Sequence, residues 1–185
     1  MRQASLPPAF QLVILPGTEN PREIACADIL PHGEMVDGLV LWRESGLRLD
    51  CVFAVHLETG ETSAAAIDLM VAALADTVSA ALPSTVRLHC ESPATVMIDG
   101  RPLCGIDVIG DDTGEGGAIG LALDVPVASQ TLGIGLRDAG VADVDPVDLL
   151  EALAQRLIYW AARVDAEGPD VLWASLDRHR TARLH

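Results

Sequence analysis

TVMIDGRPLCGIDVIG, residues 95–110, is the stretch from which the fold can be read. Its two halves are rich in Val and Ile and fold back on each other at Asp99-Gly100, a dipeptide that supplies the positive φ angles of a tight two-residue turn. The segment is therefore a β-hairpin. Where a catalyst would place a charge, it offers Arg101 followed by Pro102.

Working outward, Phe10 to Leu15 forms a short strand, and Asn20-Pro21-Arg22-Glu23 starts a helix. Asn is the N-cap, Pro sits in the first turn and Glu follows three residues after the cap. That helix should end near Leu30, ahead of Pro31. Gly38 to Arg43 and Leu47 to Leu57 are two β segments joined by Glu44-Ser45-Gly46, the second alternating around Val52, Ala54 and His56. A long helix capped by Thr62 or Ser63 runs to about Leu82, its buried face marked by Ile67, Val71, Leu74 and Val78. Strands over Val86 to Cys90 and Ala118 to Val125 flank the hairpin, with a Gly- and Asp-rich loop over 111–117. Asp145 caps the next helix, Pro146 opens it, and Leu149, Leu153, Leu157, Trp160 and Val164 form one stripe before Gly168. A last helix carries Leu172, Trp173 and Leu176. Strands grouped around one long helix, with a helical final third, define a single α+β domain over residues 1–185. Its mixed, mostly antiparallel sheet is packed with helices and covered on one side.

Composition narrows the function classes. The formal net charge is −15, which works against nucleic acid and against an anionic membrane, since both demand neutralisation of phosphates. All twelve basic residues are arginines, so no mechanism can use a lysine as point charge, base or Schiff base. Aromatic residues make up 3% of the chain, leaving Trp42, Trp160 and Trp173 as the large anchors of an aliphatic core. The start of the chain lacks the regions of a secretory signal and no apolar run reaches bilayer length, which points to the cytoplasm. Cys26, Cys51, Cys90 and Cys104 never approach a C-x-x-C spacing and read as small buried hydrophobes.

The order of elements and several motifs resemble the catalytic domain of the biotin and lipoate protein ligases. Glu91-Ser92-Pro93-Ala94-Thr95-Val96 stands where that family has a strand with a W-P-N-D type motif. Pro102-Leu103-Cys104-Gly105-Ile106 stands at its K-x-x-G-I type segment, and Ile119 to Val125 at its I-G-I-G-I-N-V segment. Gly135-Leu136, Leu149-Leu150 and Trp173 follow in family order. The resemblance covers about Asn20 to Trp173. It implies pocket positions at Trp42, Arg43, Ser92, Pro93, Ala94 and Thr95. On the hairpin and the next strand it implies Arg101, Pro102, Cys104, Gly105, Ile106 and Asp124. Biotin, lipoate and ATP enter as ligands by this resemblance only, as does a carrier protein as partner.

The departures bear on activity. In the family, the lysine of K-x-x-G-I stabilises the carboxylate and the developing phosphate charge; here Pro102 stands in its place. Ser92, Ala94 and Thr95 replace the Trp, Asn and Asp of the W-P-N-D motif, and Pro93 alone matches. The Gly- and Arg-rich closing loop shrinks to Arg43-Glu44-Ser45-Gly46-Leu47-Arg48. Arg101 could replace the lysine only after a register shift, because strand neighbours face opposite ways; otherwise it is a solvated turn residue. Asp124 replaces a family asparagine and reads either as a base or metal ligand, or as a strand-end aspartate hydrogen-bonded to a nearby loop. His56, His89, Cys51, Cys90 and Cys104 invite a Cys-His or zinc reading, but adjacent His89 and Cys90 face opposite ways, which leaves core cysteines and half-buried histidines. Asp111, Asp112, Thr113 and Glu115 lack the spacing of a calcium loop and read as a solvated turn. Arg178, Arg180 and Arg183 complement the end of the last helix. Three readings stay open: a ligase-fold protein without adenylation that binds a small carboxylic acid or a partner protein, an active ATP-dependent ligase or acyl transferase with a rearranged site, and a structural subunit.

Overall fold

At the hairpin, Asp99 and Gly100 take φ of 46° and 77°, the pair of positive angles that the dipeptide implied. This computed structural model describes residues 3–29, 37–57, 62–91, 94–110, 117–128 and 133–181. Ser92, Pro93, Leu30, Pro31, the Asp111 to Glu115 loop and Arg183 lie outside the described residues, as do the side chains of Arg178 and Arg180.

The strands are β1 (Gln11–Leu15), β2 (Leu39–Arg43), β3 (Arg48–Leu57), β4 (Leu88–Glu91), β5 (Thr95–Ile98), β6 (Arg101–Ile109) and β7 (Gly117–Pro126). They form one seven-stranded sheet in the order β1-β2-β3-β7-β6-β5-β4. Only β1 and β2 pair in parallel; all other neighbours are antiparallel. The helices are α1 (Pro21–Ile24), continued by one π-helical turn (Ala25–Ile29), then α2 (Ser63–Ala81), α3 (Pro146–Glu167) and α4 (Asp170–Thr181). The mixed α+β sheet expected from the sequence is the one observed.

Local chemistry explains where the helices begin. Asn20 Oδ1 accepts from the Arg22 N–H at 3.0 Å, and Asp145 Oδ1 accepts from the Val147 N–H at 2.9 Å, each followed by proline in the first turn. Thr62 caps α2 by backbone conformation alone. Asp145→Ala is expected to cost about 1 kcal/mol, lowering the thermal midpoint by roughly 3 °C in calorimetry.

Helices α2, α3 and α4 cover one face of the sheet, and α2 packs on the sheet, on α3 and on α4 at once. It is consequently buried around most of its circumference, at Ala66, Met70 to Ala75, Thr77 and Val78, rather than along the single stripe that its spacing suggests; Ile67 is only half-buried. Contrary to the reading that no run is long enough, α2 has 19 residues and passes for a membrane span by length and composition, but half of its apolar window is packed inside the domain. Two indoles clasp it. Trp160 Nε1 donates to Asp76 Oδ2 at 3.0 Å, and Trp173 Nε1 donates to Asp68 Oδ2 at 3.2 Å.

Two further sequence assignments change. Trp173 is no core anchor, because its ring is 50% exposed at the edge of the helical layer. Cys26 is exposed, whereas Cys51, Cys90 and Cys104 are buried, and all four are free thiols. The opposite face of the sheet carries a smaller core of Leu15, Ala25, Leu41, Val52, Ala54, Ile109 and Ala122, roofed by α1 and its π-helical turn. That roof stops short of the β6–β7 end.

Candidate functional site

On the α1 face, residues at every second position of β3 continue the row Val52, Ala54 toward Asp50 and Arg48. The pairing sets Asp50 opposite Asp124 of β7, with Arg43 opposite Asp50 on the other side. Asp107 of β6 joins the same face, opposite Ala122. Strand alternation thus gathers charged side chains into a row across the middle of the sheet.

Beside that row lies a cleft of about 310 Å³, lined by Arg22, Arg48, Pro102, Gly105, Asp107 and Asp124 among others. Arg48 grips Asp124 with both ends of its fork, Nε to Oδ1 at 2.6 Å and Nη2 to Oδ2 at 2.5 Å. Arg22, presented by α1, meets Asp107 through Nη2 at 2.5 Å. The two cations of the cleft are therefore each matched by a carboxylate. Arg43 is committed one row away, to Asp50. Burial raises the Asp50 carboxyl above the ordinary carboxylate range, and the neighbouring Asp124 adds to this, while Arg43 and Arg48 oppose it.

Pro102 sits in the cleft wall, exposed. Its carbonyl accepts the Ile134 N–H at 3.0 Å, and a Cβ on Gly133 would stand 2.7 Å from that oxygen, so the segment from Gly133 rests tightly on the strand. The pairing passes from Met97 opposite Pro102 to Val96 opposite Cys104, leaving Leu103 as an extra residue. A register shift does exist beside Arg101, yet Arg101 stays exposed and its Nη2 donates to the Gly133 carbonyl at 2.6 Å. Burial pushes the Cys104 thiol up to about 12, which disfavours the thiolate that a nucleophile needs at neutral pH.

The remaining sequence candidates are dispersed. Trp42 and Ile106 lie in the core on the helical face, 1% and 4% exposed. Ala94 uses its carbonyl to accept the Ile106 N–H at 2.8 Å, and Thr95 is paired between Glu91 and Gly105. Asp124 is held by the arginine of a neighbouring strand rather than by a loop. Neither histidine is half-buried as the sequence suggested: His56 is exposed, whereas His89 is buried at 7% exposure with Nε2 unpartnered. Among the described residues no cluster of three metal-ligating side chains forms. Arg22, Arg48 and Asp107 were missed. The signal for Arg48 lay in the β3 alternation, which continues two steps beyond Val52, and for Asp107 in its spacing of two from Gly105.

An open mixed sheet in this strand order, with α2, α3 and α4 on one face and α1 on the other, has the fold of a biotin-ligase-like catalytic domain. Solved structures bear this out. A biotin protein ligase-like protein of unknown function from Silicibacter sp. TM1040 superposes with a TM-score of 0.82 at 18% identity, covering 97% of this chain and 81% of that one. The biotin protein ligase of Aquifex aeolicus gives 0.71 at 11% identity, with 93% and 78% covered. That of Leishmania major, solved with biotinyl-5-AMP, gives 0.65 at 14%, with 97% and 84% covered. No curated protein matches. Residues 6–176 match the Biotin/lipoate A/B protein ligase family, and the chain belongs to it.

Proposed function

We propose that the protein is a biotin/lipoate-ligase-like binding protein of the cytoplasm that holds a small carboxylic acid in the β6–β7–α1 cleft and carries out no adenylation. The observation that carries this reading is the charge balance of the cleft: Arg22 and Arg48 are matched by Asp107 and Asp124, and the neighbouring wall is the uncharged Pro102. Catalysis on ATP needs a surplus of positive charge around a triphosphate, as positioned donors acting where charge develops. This cleft supplies none, in a chain of net charge −15. A single carboxylate asks for much less, since one planar guanidinium can bind it side-on. Arg48 is the better placed of the two, because Asp124 takes its Nε–Nη2 edge and holds the guanidinium in place, leaving the Nη1 end to donate to a ligand carboxylate. The Aquifex aeolicus ligase has been solved with biotin and ATP, and the Leishmania major enzyme with biotin, which supports acids of this size as ligands.

Calorimetry with biotin, lipoate and octanoate tests the reading, with native mass spectrometry to identify what is bound. One acid is expected to bind one to one. The double variant Arg48→Gln/Asp124→Asn, which leaves no unpaired charge behind, should weaken it roughly tenfold. Failure of every acid to bind, or recovery of an acyl-adenylate, overturns the proposal.

A further inference from the structure

A second cavity lies at the opposite end of the helical layer, where the start of α2 meets the end of α3 and the start of α4. It measures about 410 Å³, the size of a small-ligand site. Its walls are apolar, built from Leu69 of α2, Val164 of α3 and Leu172 of α4, and alanines, including Ala161, leave its interior open. The Trp173 ring forms one edge and is 50% exposed, and its Nε1 is tethered to Asp68, so the indole is held rather than swinging free. Large exposed aromatic side chains that are fixed in place are the usual anchors of binding surfaces.

The charges here differ in kind from those of the first cleft. Asp68 and Asp165 both line the cavity, with His56 as the one other ionisable side chain in its wall, and no arginine does. An apolar slot with an aromatic edge and two carboxylates repels acids and attracts a cation that carries a hydrophobic body, because the ring face and the carboxylates both favour positive charge. We propose that this groove binds a lipophilic primary amine, its ammonium group between Asp68 and Asp165 and its chain or ring against Trp173, Leu69 and Val164. This site shares no residue with the acid cleft and stands independently of it.

The test uses 4-phenylbutylamine, with 4-phenylbutanol and 4-phenylbutyrate as the neutral and anionic analogues of the same shape. Each is titrated into 15N-labelled full-length protein, and the tryptophan indole signals are followed, that of Trp173 being assigned from the Trp173→Phe variant. A ligand of this size binds with a dissociation constant on the order of 1 mM. The amine is expected to shift the Trp173 indole signal and to bind about fivefold more tightly than the alcohol, with the acid weakest. Asp165→Asn, at an exposed position where folding is safe, should remove part of that advantage, and adding Asp68→Asn the rest. Ala161→Leu, which fills the slot, should weaken amine and alcohol alike. Equal binding of amine and alcohol, an advantage that survives both aspartate changes, or no shift of the Trp173 signal by the amine overturns the proposal.

Discussion

Protein supplied with ATP, labelled pyrophosphate and biotin, lipoate or octanoate is expected to show no exchange above the acid-free background, and Pro102→Lys alone is expected not to create it. A charge contact made to the transition state is worth about 3 kcal/mol, roughly a hundredfold in rate, so the missing lysine by itself would leave a slow enzyme. The other departures act together with it. Ala94 and Thr95 contribute backbone pairing on β5 and near it rather than polar groups in the cleft. The β2–β3 connection is a four-residue turn, Glu44 to Leu47, with Leu47 61% exposed, and offers nothing to shield a mixed anhydride from water. Contributions of this sort behave as a unit, so one restored donor recovers little. The variant should fold, since Pro102 is exposed and its carbonyl, which holds Ile134, is kept. Circular dichroism checks that point. Acid-dependent exchange by the unchanged protein would refute the binding-protein reading. A gain of a hundredfold or more in the variant would show that the short turn matters less than the lysine.

The features legible in the sequence were those set by chemistry within a few residues. Asp99-Gly100 dictates its own turn, and Asn20-Pro21 and Asp145-Pro146 cap and open their helices without help from the rest of the chain. Long-range pairing left weaker traces. Nothing local announces that β1 lies parallel to β2, or that Leu103 is the extra residue of a bulge. Periodicity says that a face is apolar but not whether something covers it, which is why Trp173 reads as core and proves to edge a groove. The same limit applies to Cys26, a small residue of a type usually buried. The cleft was only half legible. Its hairpin wall, Pro102 to Gly105, came from the family resemblance, whereas its arginines come from α1 and β3, elements remote in sequence that only the sheet order brings to Asp107 and Asp124. A salt bridge between residues 76 positions apart has no signature in either segment.

Gly38→Ala is expected to be among the most damaging single-methyl additions to this chain. Gly38 has a φ of 78°, in the left-handed region, and a Cβ built there would overlap the carbonyl oxygen of Ala9. It is also a junction. Its N–H donates to the Ala54 carbonyl at 3.1 Å and its own carbonyl accepts the Gln11 N–H at 2.9 Å, so it fastens the start of β1 to the start of β2 and to β3. Left-handed backbone costs an L-residue about 1 to 2 kcal/mol, and displacing a backbone group to admit a methyl adds about as much. The sum is roughly 3 kcal/mol, or a fall of about 9 °C in thermal midpoint for a domain of this size. Gly100→Ala separates the two contributions. Its φ is nearly the same, 77°, but a Cβ there would meet no atom within 4 Å, so only the conformational cost applies and the expected fall is about half as large. Calorimetry on the two variants checks both numbers. Equal losses would mean that the Ala9 segment yields freely to the added methyl, and that β1 is not held to the sheet through this glycine.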